Sequence, residues 1–218
     1  LSVQGILKNS QKPWKKNGLK PGDILFLSRP LGVGIIFAAQ MQNINLFNST
    51  NMLHKNLITS QQILVDQIYQ IEDKLGENII NGATDITGFG LIGHLKEMIN
   101  SSNLERKNKN FKQIRAIVNL MALRAYPNVM ELIRKGIRST LFEGNKKIYS
   151  EIVEKEFNQR EIIFKEEDNL SKTQINDKVE LLLDPQTCGP ILISCQPKYG
   201  KYFKRNWYQI GKICDKDI

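Results

Sequence analysis

The sequence predicts an α+β fold, a mixed β-sheet covered by helices. Three observations carry this. Short apolar runs behind turn residues interleave with segments of helical spacing. The interleaving does not follow regular βαβ steps, so a purely parallel sheet is not expected. Of the 218 residues, 41% are hydrophobic, enough to bury a core.

Residues 1–21 are polar and basic, with Pro13 and Pro21 as breakers. They read as a lead-in linker or strand, and residues 22–218 as a single α+β domain. Asp23-Ile-Leu-Phe-Leu-Ser28 follows Pro-Gly and reads as a buried strand. Pro30 to Gly34 is a tight loop, and Ile35 to Met41 opens a helix. Leu57 to Leu75 has the spacing of one amphipathic helix. Asn81 to Gly90 reads as a Gly/Thr/Asp-rich loop. Leu91, Ile92, Leu95, Met98 and Ile99 then fall on one helical face. Ile114 to Leu120 reads as a strand and Val129 to Lys135 as a helix. Ser139 to Asp177 is charged and weakly periodic, a long loop or a peripheral helical excursion. Lys178 to Asp184 is expected to be a strand, Pro185 to Gly189 a turn, and Ile191 to Cys195 and Tyr208 to Ile213 two further strands.

The net charge of +9 could serve a polyanion. The lysines are scattered rather than clustered, at 8, 12, 15, 16 and 20 and again at 198–205, in a chain rich in Lys, Ile and Asn. No helix-turn-helix, RNP-like or zinc-finger pattern is present, so no nucleic acid is expected as a partner. No apolar run approaches about 18 residues, so no membrane span is expected. The three cysteines, Cys188, Cys195 and Cys214, form no CxxC pair, which points to reduced thiols in a cytoplasmic protein. A start at Leu1 without a signal-peptide pattern is what an excised domain or fusion partner would show.

Chemistry concentrates in Ala83-Thr-Asp-Ile-Thr-Gly-Phe-Gly-Leu-Ile-Gly-His-Leu95. Glycines at 88, 90 and 93 let backbone approach a ligand, and they open a helix whose free N–H groups favour phosphate. Asp85 just before them suits Mg²⁺, which uses one or two carboxylates plus phosphate oxygens. The alternative is a Gly-rich turn in which Asp85 or Thr87 caps the helix. Gly88-x-Gly90-x-x-Gly93 also matches the dinucleotide fingerprint. That reading is disfavoured, because Asn81-Gly-Ala-Thr is a poor strand and no acid ends the next strand near Leu120.

Three long motifs then resemble one known family. Pro21-Gly-Asp-Ile-Leu-Phe-Leu-Ser-Arg-Pro-Leu-Gly-Val-Gly34 is similar to PGDxLxLTKPLGTG of the selenophosphate synthetases (selenide, water dikinases). Thr84-Asp-Ile-Thr-Gly-Phe-Gly-Leu-Ile-Gly-His-Leu95 is similar to their TDVTGFGLLGHL, and Leu182-Leu-Asp-Pro-Gln-Thr-Cys-Gly-Pro190 to their LLxDPQTSGG. The closing Tyr208-Gln-Ile-Gly-Lys-Ile213 also resembles the family. The motifs stand in family order and cover nearly the whole chain.

The resemblance implies the carboxy-terminal domain of the aminoimidazole ribonucleotide synthetase-like fold, in a two-domain, homodimeric enzyme. That enzyme makes selenophosphate from ATP, selenide and water with Mg²⁺, releasing AMP and phosphate. Its nucleophile, its essential Lys and most ATP-binding groups belong to an amino-terminal half that this chain lacks. No catalytic residue is therefore expected here, and this chain alone should not turn over ATP. Asp85 maps onto the family's metal ligand. Thr87, Gly88 and Gly90 are implied to lie on the phosphate side.

Asp184, before Pro185, either faces the cleft or caps a turn. Arg29, Val33, Cys188 and Pro190 depart from the pattern, where Lys, Thr, Ser and Gly are usual, and Arg138-Ser-Thr-Leu is a poor copy of a Gly-Gly-Thr loop. Those departures keep two alternatives open, another ATP-using member of the superfamily or a diverged remnant that binds or dimerises. Cys188 is expected as a small packed side chain rather than a nucleophile. His94 is expected to make a polar contact or face solvent rather than bind a metal, and His54 has no informative context.

Overall fold

The computed structural model describes residues 4, 6, 11–44, 47–165, 170–203 and 205–216. Most of the lead-in before residue 11 thus lies outside the described residues. From residue 11 to 20 the chain forms no strand. It runs beside the sheet, and Lys15 O accepts the N–H of Ala83 at 2.8 Å.

Six strands form one mixed sheet, β1 (Ile24–Leu27), β2 (Ile80–Asp85), β3 (Ile114–Asn119), β4 (Ile162–Lys165), β5 (Ile191–Cys195) and β6 (Tyr208–Asp215). Their order is β2-β5-β1-β6-β3-β4. All neighbours are antiparallel except β3 and β4, which run parallel. The α+β class is as the sequence predicts.

Strand alternation divides the core into two layers. Leu25 and Leu27 of β1, Leu192 of β5 and Val118 of β3 face the larger layer. It is closed by helices α1 (Val33–Met41), α4 (Gly90–Asn108), α5 (Val129–Arg134), α6 (Phe142–Val153) and α7 (Lys172–Leu183). Phe26 and Ile193 point the other way. They pack with Ile68 of α3 (Gln62–Leu75) and with Tyr199, Phe203 and Trp207. Helix α2 (Phe47–Ile58) adds Leu53 to the larger layer. No helix among the described residues is long and apolar enough to cross a membrane.

Four expectations need correction. Lys178 to Asp184 is not a strand but the end of α7. The short run Val179-Glu-Leu-Leu-Leu183 is ambiguous alone. The decisive signal lies upstream. Ser171 Oγ accepts Gln174 N–H at 3.2 Å and Gln174 Oε1 accepts Ser171 N–H at 2.9 Å, a capping box that starts a helix.

Asn81 to Thr84 is not loop but the middle of β2. Weak β-formers hold there because β5 pairs on one side and Lys15 O on the other.

Leu57 to Leu75 is two helices, α2 and α3, separated at 59–61. The region 139–177, expected as a long loop or a peripheral helical excursion, is helical at α6 but also holds β4, and Phe142 and Ile152 of α6 are core rather than peripheral. Pairing with β3 supplies what the periodicity of β4 does not show.

Candidate active site

Strand β2 pairs with β5 as far as Asp85, opposite Ile191. The chain leaves the sheet there, so the Asp85 carboxylate is exposed at the strand end. Ile86 turns back into the core, 0% exposed, and its N–H donates to Pro190 O at 2.9 Å. Loop 86–89 then leads into α4.

Thr87 is the hub of this loop. Its N–H donates to His94 Nε2 at 3.1 Å. Its carbonyl accepts the N–H of Gly90 at 3.1 Å and of Gln186 at 3.0 Å. Gly88 O accepts from Asn145 Nδ2 at 2.9 Å, and the same amide reaches Leu183 O at 2.8 Å. The N–H groups of Gly88 and Phe89 are bonded to no described residue. Between the two glycines Phe89 is 60% exposed. The loop is therefore tied down through Thr87 and the Gly88 carbonyl, with the exposed Asp85 at its start and two N–H groups bonded to no described residue.

The three glycines do not play one role. Gly88 is open, since a Cβ there would meet just Leu141 Cδ1 at 3.6 Å. Gly90 has φ +63°, and a Cβ on it would lie 2.7 Å from Leu182 O. Its backbone thus approaches the C-terminal carbonyls of α7, not a ligand. A Cβ on Gly93 would lie 2.6 Å from Phe89 Cβ. The Gly90 N–H is taken by Thr87 and the Gly90 α-carbon is buried.

Asp184 does not face an open cleft. It is 1% exposed and follows α7 as its C-cap. Its Oδ2 accepts the Gly34 N–H at 3.0 Å and Gln186 Nε2 at 2.9 Å. The Asp184 side chain therefore caps the N-terminus of α1 through its oxygen. Burial pushes its pKa up to about 8, against the opposing pull of the Gln186 and Gly34 hydrogen bonds.

Loop 184–190 is strapped from the other side as well. Arg29 Nη1 donates to Cys188 O at 2.9 Å, and Nη2 donates to Thr59 O. Gln61 Nε2 reaches Gly189 O at 2.9 Å. The break between α2 and α3 is what brings Thr59 and Gln61 here. Burial holds the Arg29 pKa below its ordinary value.

Cys188 is exposed with φ +46°, so the expectation of a packed side chain fails. What the position uses is its left-handed backbone and its carbonyl. His94 makes the expected polar contact, buried behind the loop. Burial lowers its pKa first, and Asp85 opposes that shift. Asn145, Gln61 and Gln186 are the supporting residues that the sequence reading missed. Gln186 alone had a signal, its place inside the Asp-Pro-Gln-Thr motif.

No group of three His, Cys, Asp or Glu residues able to hold a metal occurs among the described residues. Asp85 is a lone carboxylate. That fits Mg²⁺ in part, since this ion needs one or two carboxylates and takes its other ligands from phosphate and water.

The sheet order and its helices define the class, an α+β domain with one mixed sheet. Thiamine-monophosphate kinase from Stenotrophomonas maltophilia K279a superposes with a TM-score of 0.53 at 13% identity, over 93% of this chain and 50% of that one. At that identity the likeness shows the fold alone. The particular family follows from sequence. The chain belongs to the AIR synthase related protein, C-terminal domain family, whose model matches residues 20–217. It is similar to the selenide, water dikinase of Pseudomonas straminea, 30% identical over 88% of this chain and 45% of that protein. The selenide, water dikinase of Caldanaerobacter subterraneus subsp. tengcongensis is 29% identical over 99% of this chain and 55% of its own length. The chain spans about half the length of the curated relatives it matches.

Proposed function

We propose that this chain supplies the Asp85 loop to the Mg–ATP site of a selenophosphate-forming enzyme, whose remaining half lies outside the sequence described. One observation carries the reading. The exposed Asp85 carboxylate and the free N–H groups of Gly88 and Phe89 share one loop, and every other polar group of that loop described above is tied inward. Resemblance to selenide, water dikinases over most of the chain supplies the reaction class. ATP, selenide and water would be the substrates, and AMP, phosphate and selenophosphate the products.

Bound Mg²⁺ would neutralise charge on the transferring phosphoryl group. Asp85 would hold that ion from one side. The Gly88 and Phe89 N–H groups would face phosphate oxygens, and Asn145 and His94 would keep them in place. The nucleophile and most nucleotide contacts are assigned to the missing half, and dimerisation is carried over from the resemblance. Three departures from the family pattern are accommodated. Arg29 still reaches two carbonyls, Cys188 adopts the turn, and Pro190 is used through its carbonyl, which needs no N–H.

The test is Asp85→Asn in the longer protein. Asn keeps size and capping ability but removes the charge. ATP-dependent selenophosphate formation should fall by orders of magnitude across a Mg²⁺ titration, while the melting temperature holds. Near-wild-type activity at ordinary Mg²⁺ overturns the assignment.

A further inference from the structure

His94 is buried, 6% exposed, and its two ring nitrogens are treated very differently. Nε2 lies 3.1 Å from Thr87 N and 3.0 Å from Thr87 Oγ1. Nδ1 is buried with no hydrogen-bond partner. The nearest carboxylate oxygen, Glu97 Oε2, is 3.9 Å from it. Glu97 is itself held by Lys16 Nζ, at 2.7 and 2.8 Å to its two oxygens.

A backbone N–H can act just as a donor, so Nε2 must present its lone pair to Thr87. The ring proton therefore sits on Nδ1, the side that has no acceptor. A histidine that merely fills a core would satisfy either nitrogen. Here the satisfied nitrogen is the one turned to the loop, at the expense of the other, and an unsatisfied buried donor calls for a reason. Burial lowers the ring's pKa and so favours the neutral form, with Asp85 and Glu97 opposing and Lys16 assisting.

We infer that His94, as its neutral Nδ1–H tautomer, is a positioning residue that pins the Thr87 N–H and leaves the Thr87 hydroxyl hydrogen for a ligand oxygen. The imidazole has one lone pair at Nε2, and the backbone N–H occupies it. The hydroxyl, 3.0 Å away, must share that lone pair or turn elsewhere. A phosphate oxygen over the loop gives it an acceptor of its own. Phe89 lies against the same ring, 5.8 Å between centroids, so ring and loop tip are held together. The hydroxyl's ligand role rests on the proposed function. The pinning of the N–H does not.

The experiment therefore has two arms. The first uses the chain itself, whose two core layers are closed by its own elements, and needs no ligand. Nitrogen-15 imidazole spectra should show His94 protonated on Nδ1, with exposed His54 as the internal reference. Hydrogen exchange at the Thr87 amide should be unchanged in His94→Gln, whose side-chain oxygen can reach the Nε2 position. It should be roughly tenfold faster in His94→Leu, the scale of one net hydrogen bond. A proton on Nε2, or exchange in His94→Gln that is tenfold faster than wild type, overturns the pinning. If His94→Leu does not fold, the tautomer and the Gln variant still decide.

The second arm is Thr87→Val in the longer protein, which keeps the N–H and removes the hydroxyl. A raised KM for ATP is expected, with the Thr87 amide still protected. An unchanged KM overturns the hydroxyl's role. Should Asp85→Asn be neutral as well, the proposed function falls while the pinning stands on its own spectra.

Discussion

The carboxylate of Asp184 accepts the backbone N–H of Gly34 at 3.0 Å, joining the end of α7 to the start of α1 from 150 residues away. Gly34 is small for a reason, since a Cβ there would lie 2.6 Å from Asp184 Oδ1. This contact sits inside the core, and its consequence is a pH dependence.

Burial raises the Asp184 pKa from 3.8 to about 8. The folded state thus binds a proton that the unfolded state releases near pH 4. Its contribution to stability is full below pH 3.8 and is lost as pH rises through about 8. Asp23 is also raised by burial and acts in the same sense. Melting temperature should therefore fall between pH 5 and pH 8, as an order-of-magnitude window from these shifts. Asp184→Asn should flatten that slope, because its oxygen can keep the Gly34 and Gln186 bonds without titrating. Thermal melts of both proteins across the range provide the check. A parallel slope in the variant would assign the dependence to other groups.

The two glycines around Phe89 should respond oppositely to alanine. Gly90→Ala puts a Cβ at φ +63° and against Leu182 O and Leu183 C, at 2.7 and 3.0 Å. A loss of about 2 kcal/mol or more is expected from strain and the forced shift of α7. Gly88→Ala meets Leu141 Cδ1 at an ordinary 3.6 Å and should leave the melt within about 1 kcal/mol. Its effect should show instead in nucleotide affinity of the longer protein. Equal destabilisation by both would contradict the distinction between a packing glycine and an open one.

The chain alone should fold cooperatively and not turn over ATP. It should also not bind NADH or NADPH saturably below millimolar. The objection that no strand precedes the glycines has fallen, because β2 runs directly into the loop. The missing acid still stands, and the sheet order adds a second objection. Strands β2 and β3 run parallel around α4 but stand at positions one and five of the sheet, so they are not the adjacent strands of a dinucleotide-binding βαβ unit. Strand β3 also ends at Asn119, followed by Leu120, without the acid that would hold a ribose. Selenide-dependent AMP formation by this chain, or micromolar NADH binding lost on Gly90→Val, would contradict these expectations.

What was legible in the sequence was local. Strands β1 and β5 announce themselves as short apolar runs beside turns, and α4 by its spacing. Asp85 and the glycines stood out as candidates because a carboxylate beside a Gly-rich helix start has a chemical meaning. What could not be read depends on partners distant in sequence. Strand β2 is weak by propensity and exists through β5 and Lys15. Gly90 looks like a ligand glycine until α7, some 90 residues on, is placed against it. Asp184 could be a cleft residue or a cap until Gly34 is placed beside it. The end of α7 was a failure of weighting rather than of information, since Ser171 and Gln174 were there to be read.

Asn145 supplies the last prediction. It is 3% exposed on α6, and its Nδ2 donates to Gly88 O and Leu183 O at 2.9 and 2.8 Å. One amide group thus ties the loop between β2 and α4 to the end of α7, over 57 and 38 residues of chain. Asn145→Ala leaves two carbonyls without that donor and should cost about 1–3 kcal/mol, the range for a buried group left unsatisfied. Asn145→Asp should cost more than alanine at pH 7. It sets a buried carboxylate against two carbonyl oxygens, with repulsion added to the lost bonds. The order wild type, alanine, aspartate in a pH 7 melt is the signature. Lowering the pH should bring the aspartate variant back toward wild type, because a protonated carboxyl can again donate one hydrogen bond. That recovery separates a lost donor from mere cavity formation, which pH would not touch. Should alanine and aspartate melt alike at every pH, the amide would be packing there and not tying the loop. In the longer protein the alanine change should also raise the KM for ATP, since Gly88 would no longer be held.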